Sequence, residues 1–110
     1  METEQAIAAL ASLAQPTRLQ AFRLLVQHEP EGLMAGELAR RLAVPPNTLS
    51  AHLNVLTHAG LTVARRKGRS VVYRASITRL TALTAFLAED CCGGGGCAAH
   101  PVPDCTETIL

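Results

Sequence analysis

The chain predicts a mainly α fold with a β-hairpin wing: a winged helix-turn-helix, dimeric. Three observations point there. Two amphipathic segments, 33–42 and 47–59, flank a tight turn from Ala43 to Pro46. They run straight into two alternating segments, 61–66 and 70–75, around a basic tip, Lys67-Gly68-Arg69. Finally, a chain of 110 residues that is 48% apolar has more apolar surface than one small domain readily hides, which points to oligomerisation.

Each element has its own signal. From Glu2 to Leu13, Ile7, Leu10 and Leu13 recur at helical spacing. Gln15-Pro16 interrupts this helix, because the residue before a proline avoids helical geometry. Pro16 then opens the second helix at its first position. That helix runs to about His28, with Leu19, Phe22, Leu25 and Val26 expected inward, and Glu29-Pro30-Glu31-Gly32 ends it. The third helix spans Leu33 to Leu42 on a stripe of Leu38, Ala39 and Leu42. The fourth, Asn47 to Ala59, has Leu49, Leu53 and Leu56 as its core stripe and Gly60 as its stop. Leu61 to Arg66 and Ser70 to Ala75 form the hairpin. Ile77 to Ala88 is a last helix, apolar at Ile77, Leu80, Leu83, Phe86 and Leu87. Residues 1–90 read as a DNA-binding and dimerisation domain. Residues 91–110, rich in Cys, Gly and Pro, read as a flexible tail.

Charge narrows the choice of partner. The formal net charge is only +1, but residues 61–90 carry six Lys or Arg against Glu89 and Asp90, a local basic patch on a near-neutral chain. No apolar run is long enough to span a membrane. The N-terminus, METEQAIAALASLA, lacks the basic start of a secretory signal. Both features predict a cytoplasmic protein, whose clustered cysteines then suggest metal or redox chemistry rather than structural disulfides.

The fourth helix suits a DNA major groove. Opposite its leucine stripe it carries Asn47, Thr48, Ser50, Ala51 and Asn54, all small or polar and none acidic. The polar ones can hydrogen-bond bases or phosphates, and Ala51 can lie against a thymine methyl. Arg65, Arg66, Lys67 and Arg69 in the wing can neutralise phosphates, which positions the protein without specifying sequence. His52 can contact a phosphate, or sit half-buried and hydrogen-bonded within its own domain. Tyr73 is expected to pack under the wing. The plainer alternative is a solvated polar face with wing charges that only confer solubility.

These same residues carry a family resemblance. The runs LAQPTRLQAFRLLV and GELARRLAVPPNTLSAHLNVLTHAGLTVARRKGRSVVYRAS resemble the ArsR/SmtB family of bacterial metalloregulatory repressors over roughly residues 5–90. The most specific part is the S-x-H-L-x-x-L-x-x-A-G-L signature from Ser50 to Leu61, with the Gly-Arg of the wing. The resemblance implies a homodimeric winged-helix repressor that leaves its operator when metal binds. The expected operator is an inverted repeat in double-stranded DNA with one recognition helix per half-site, and no enzymatic activity is expected. The resemblance also implies a dimer interface built from the first and last helices, where apolar residues are in surplus.

All four cysteines lie beyond the last helix, at Cys91, Cys92, Cys97 and Cys105. Four glycines between Cys92 and Cys97 impose almost no conformation, so the chain can bring Cys97 back to the pair. Trivalent arsenic or antimony takes three thiolates in a shallow pyramid, and two adjacent cysteines plus a returning third supply that. Zinc wants a tetrahedron, which a vicinal pair strains. The pair follows a helix C-terminus beside Glu89 and Asp90, which disfavours free thiolates. A neutral arsenic–trithiol site is little penalised there, whereas a zinc tetrathiolate would leave net negative charge. The resemblance agrees, since some arsenic-responsive members carry a Cys-Cys pair just after the last helix and a third cysteine a few residues later. As(III) or Sb(III) is therefore the expected inducer, with no organic cofactor. Cys91 and Cys92 are the expected ligands, and Cys97 and Cys105 compete for third place. Other sites known in the family are missing: MAGELARRL has no cysteine and ITRLTALTAFLAE no histidine. A zinc- or cadmium-responsive regulator, or one switched by thiol oxidation, is the alternative. A thiol enzyme is disfavoured, because no oxyanion-cradling loop accompanies a cysteine.

Overall fold

A computed structural model describes residues 1–89; the cysteine tail lies outside them. The order is α1 (Thr3–Leu13), α2 (Pro16–Gln27), β1 (Leu33–Met34), α3 (Ala35–Leu42), α4 (Pro46–His58), β2 (Thr62–Lys67), β3 (Ser70–Ala75) and α5 (Ile77–Leu87). The winged helix-turn-helix that the sequence predicts is the observed architecture.

The break before Pro16 falls where expected. Gln15 is extended and caps α2, its side chain accepting from the Arg18 backbone N–H at 2.8 Å, while Pro16 fills the first helical position. The inward residues of α2 differ in part. Phe22 and Leu25 are buried, but Ala21 takes the third inward position and Leu19 is 44% exposed. The buried stripe is thus rotated toward Ala21, whose small side chain lets α2 pack closely on its neighbours.

The segment 33–42 is not helical throughout. Leu33 and Met34 form a short strand paired antiparallel with Tyr73 and Val72, making a three-stranded sheet of order β1-β3-β2. Gly32 sets this up. It adopts φ +77°, in the left-handed region that favours glycine, and a Cβ there would collide with the Tyr73 carbonyl. A two-residue strand leaves no periodicity to read.

The core is a cluster contributed by every helix. Leu25, Leu38, Leu49, Leu53, Leu56 and Leu61 are completely or almost completely buried, with Ala6, Ala9, Phe22, Ala75 and Leu83 around them. Tyr73 is half-buried against this cluster, under the wing as expected. On α1 the apolar residues point two ways. Ala6, Ala9 and Ser12 face inward, whereas Ile7 and Leu10 are 60% and 42% exposed. On α5, Leu83 is buried but Ile77 and Leu87 are exposed.

Two glycine substitutions separate backbone need from tolerance. Gly32→Ala should cost more than about 1 kcal/mol, since the left-handed φ and the Tyr73 carbonyl both oppose a Cβ. Gly36→Ala, on α3 with open space around it, should be neutral or stabilising by up to about 1 kcal/mol. Thermal unfolding of the two variants checks the contrast.

Candidate nucleic-acid interface

The helix-turn-helix is α3, a three-residue turn and α4. Ala43 ends α3 in the left-handed region at φ +55°, and the Val44 N–H closes the turn onto the Ala39 carbonyl at 3.0 Å. Pro45 caps α4 and Pro46 is its first residue, one position earlier than the sequence suggests, because a proline is well suited to the first turn. No side chain caps this end, so its first backbone N–H groups are directed outward, where an anion is favoured.

The burial of Leu49, Leu53 and Leu56 fixes which face of α4 looks out. Asn47, Thr48, Ser50, Ala51 and Asn54 are all exposed, as is Val55, an apolar addition to the same face. The exposed His58 lies at the last turn. The C-terminus closes with Gly60 at φ +82°. The Gly60 N–H bonds to the Thr57 carbonyl, and the Leu61 N–H to the Leu56 carbonyl, both at 3.0 Å.

His52 stands apart from this face. It is half-buried on the flank of α4, and its Nδ1 lies 3.3 Å from a guanidinium nitrogen of Arg18. Of the two readings open for it, the structure has the intradomain hydrogen bond. Arg18 is a partner of His52 that the sequence does not reveal, because nothing in a linear pattern brings positions 18 and 52 together.

The wing cations do not form one patch. Cross-strand pairs put Arg65 beside Val72 and Arg66 beside Val71. Side chains alternate along a strand, so Arg65 and Lys67 share one face and Arg66 takes the other. Arg65 and Lys67 border a groove with Pro30, Glu31, Val72 and Arg74. Arg69, at the tip, borders a different groove beside the start of α3, with Met34, Gly36 and Arg40. The wing thus presents cations on both faces and at its tip.

Ion pairing sorts the remaining basic residues. Arg40 and Arg41 both bond Glu37, and the Arg41 hydrogen bond, then Arg40, hold that carboxyl below the usual carboxylate range. Arg74 pairs with Glu29 at 2.8 Å, which raises the guanidinium's proton affinity further. Arg65, Arg66, Lys67 and Arg69 enter no ion pair among the described residues. Their charge is therefore available to phosphates.

An outward polar helix without acids, preceded by a tight turn and followed by a wing of unpaired cations, defines a winged helix-turn-helix DNA-binding domain. Residues 13–65 match the family described as "Helix-turn-helix domain". The chain is 34% identical over 83 residues to the transcriptional activator HlyU of Vibrio cholerae, covering 76% of this chain and 74% of the relative. Among solved structures, the homodimeric winged helix-turn-helix domain Mb0332 of Mycobacterium bovis, a possible ArsR-family regulator, aligns with TM-score 0.64 at 31% identity. That alignment covers 79% of this chain and 81% of the other. A possible transcriptional regulator for arsenical resistance aligns with TM-score 0.63 at 34% identity, over 72% and 79% of the two chains. The chain belongs to the ArsR/SmtB family of transcriptional regulators.

Among the described residues no group of three or more His, Cys, Asp and Glu side chains is placed to hold a metal ion, and no helix is long and apolar enough to cross a membrane. Cys91, Cys92, Cys97 and Cys105 lie outside the described residues.

The two kinds of contact should separate in salt titrations of DNA binding. Arg65→Gln or Lys67→Gln should weaken binding to all sequences and reduce the slope of log K against log salt by about 0.9 per lost phosphate contact. Asn54→Ala should leave the slope unchanged and cost about 1–3 kcal/mol at the preferred sequence only. Arg74→Gln, already paired with Glu29, should change the slope little.

Proposed function

We propose that this chain is a homodimeric repressor. It binds an inverted-repeat operator through one α4 per half-site and is released by trivalent arsenic or antimony, so controlling arsenic-resistance genes. The observation that carries the DNA half is the outward face of α4: Asn47, Thr48, Ser50, Ala51 and Asn54, exposed and without an acidic residue. The unpaired wing cations support it.

The homodimer is supported by Ile7, Leu10, Ile77 and Leu87, large apolar side chains left exposed on α1 and α5, and by the homodimeric state of Mb0332. Burying them against a second copy would gain about 1.5–3 kcal/mol for each side chain fully removed from water.

The inducer half rests on the cysteines. Cys91 and Cys92 lie four and five residues beyond the end of α5 at Leu87, and Cys97 or Cys105 supplies the third thiolate. Binding releases water from arsenous acid as three S–As bonds form, and leaves a neutral centre. Drawing the cysteines together at the end of a dimer helix changes how the two reading heads are set. A coupling of about 1–3 kcal/mol, typical of allostery, lowers operator occupancy. The resemblance to a possible regulator for arsenical resistance supports this reading.

The test is fluorescence anisotropy of the reduced protein on a duplex selected by that protein from a random-sequence pool, with arsenite, zinc and peroxide added separately. Arsenite alone should release the duplex, and Cys91→Ser should abolish the release without changing affinity before induction. Loss of release in Cys97→Ser but not Cys105→Ser, or the reverse, identifies the third ligand. Release by zinc or peroxide and not by arsenite would replace the arsenic reading with a zinc- or redox-switched regulator.

A further inference from the structure

We propose that Arg18 and His52 form a link that sets the recognition helix against the α1–α2 corner, making Arg18 a positioning residue for DNA binding although it lies on neither α4 nor the wing. The proposal rests on the DNA-binding reading of α4.

Arg18 gathers three elements. Its backbone N–H donates to the Gln15 side chain at 2.8 Å, which fixes the start of α2. Its Nε donates to the Ser12 carbonyl at 2.6 Å. That carbonyl belongs to the last turn of α1, where the helix itself offers no partner. The far end of the guanidinium reaches His52 Nδ1 at 3.3 Å, from the middle of α4. No described carboxylate pairs with Arg18, so these contacts alone orient it.

The chemistry assigns a tautomer. A guanidinium only donates, so Nδ1 of His52 must accept and therefore carries no proton.

The link has a counterpart across the helix. Thr57 Oγ1 on α4 bonds Thr62 Oγ1 on β2 at 2.8 Å. α4 is therefore tied on one side to the wing and on the other, through His52 and Arg18, to the end of α1. Since α1 also carries Ile7 and Leu10 outward, a shift of α1 reaches α4 through Arg18 as well as through the core packing that the two helices share.

The experiment is a double-mutant cycle on the full-length reduced protein, titrated against the duplex it selects from a random pool. Arg18→Gln and His52→Leu should each weaken binding about tenfold, and the double variant should be no worse than either single one. His52→Asn, whose Oδ1 can stand near the place of Nδ1, should keep most of the affinity. Melting temperatures should stay close to wild type. Long-range 1H–15N spectra of the wild-type protein should show Nδ1 of His52 as the unprotonated, hydrogen-bond-accepting nitrogen, a readout that does not depend on any variant folding. Additive losses, unchanged affinities, or a protonated Nδ1 would each overturn the link. A fall of about 0.9 in the salt slope for Arg18→Gln would make Arg18 a phosphate contact instead and also overturn it. Wild-type protein that selects no duplex would sink the DNA-binding reading itself, whereas wild-type binding with unaffected variants would sink only the link.

Discussion

The packing of Leu49, Leu53 and Leu56 into the helical core is the constraint on which the rest depends. These three side chains are at most 1% exposed, and a close-packed interior does not let a helix rotate about its axis without opening voids. Their burial therefore fixes the orientation of α4 and presents Asn47, Ser50, Ala51 and Asn54 outward as a set. The reading face is a consequence of the core. A leucine-to-alanine change under it would cost about 2–5 kcal/mol and would disturb recognition through orientation before it removed any polar group.

Around that fixed helix, charge is divided between structure and ligand. Glu37 occupies Arg40 and Arg41 on α3, and Glu29 occupies Arg74 at the base of the hairpin. The other wing cations enter no ion pair among the described residues. A chain of net charge +1 can thus present a basic edge at the hairpin. Arg65 and Lys67 on one face, Arg66 on the other and Arg69 at the tip let the wing meet phosphates whichever way it leans in the groove.

Much of this was legible in the sequence, because its signals are periodic or are turn residues with a steric reason. The leucine stripe of α4, the Gly60 stop, the break at Gln15-Pro16 and the Gly68 tip all fall where local chemistry demands. Three features were not legible, each for a physical reason. β1 is two residues long, too short to alternate, and exists because Gly32 lets the backbone approach Tyr73. Leu19 and Ala21 exchange roles on α2, because helical spacing locates a stripe only to within a residue or so while packing selects the smaller side chain. Arg18 and His52 meet across thirty-four positions, a contact that only the tertiary fold creates. On α1 the same apolar spacing serves two surfaces, with alanines inward and Ile7 and Leu10 outward.

In the proposed repressor, two α4 helices, held apart by the α1 and α5 faces of a homodimer, read two half-sites on one side of a duplex. Hydroxyl-radical footprinting of the protein on its selected duplex tests this most directly. Two protected tracts, centred about one helical turn of 10–10.5 base pairs apart, or a multiple of it, and lost together in Leu10→Glu, are the predicted result. A single protected tract that survives Leu10→Glu would show that one copy binds alone, with no dimer holding two α4 helices at paired half-sites.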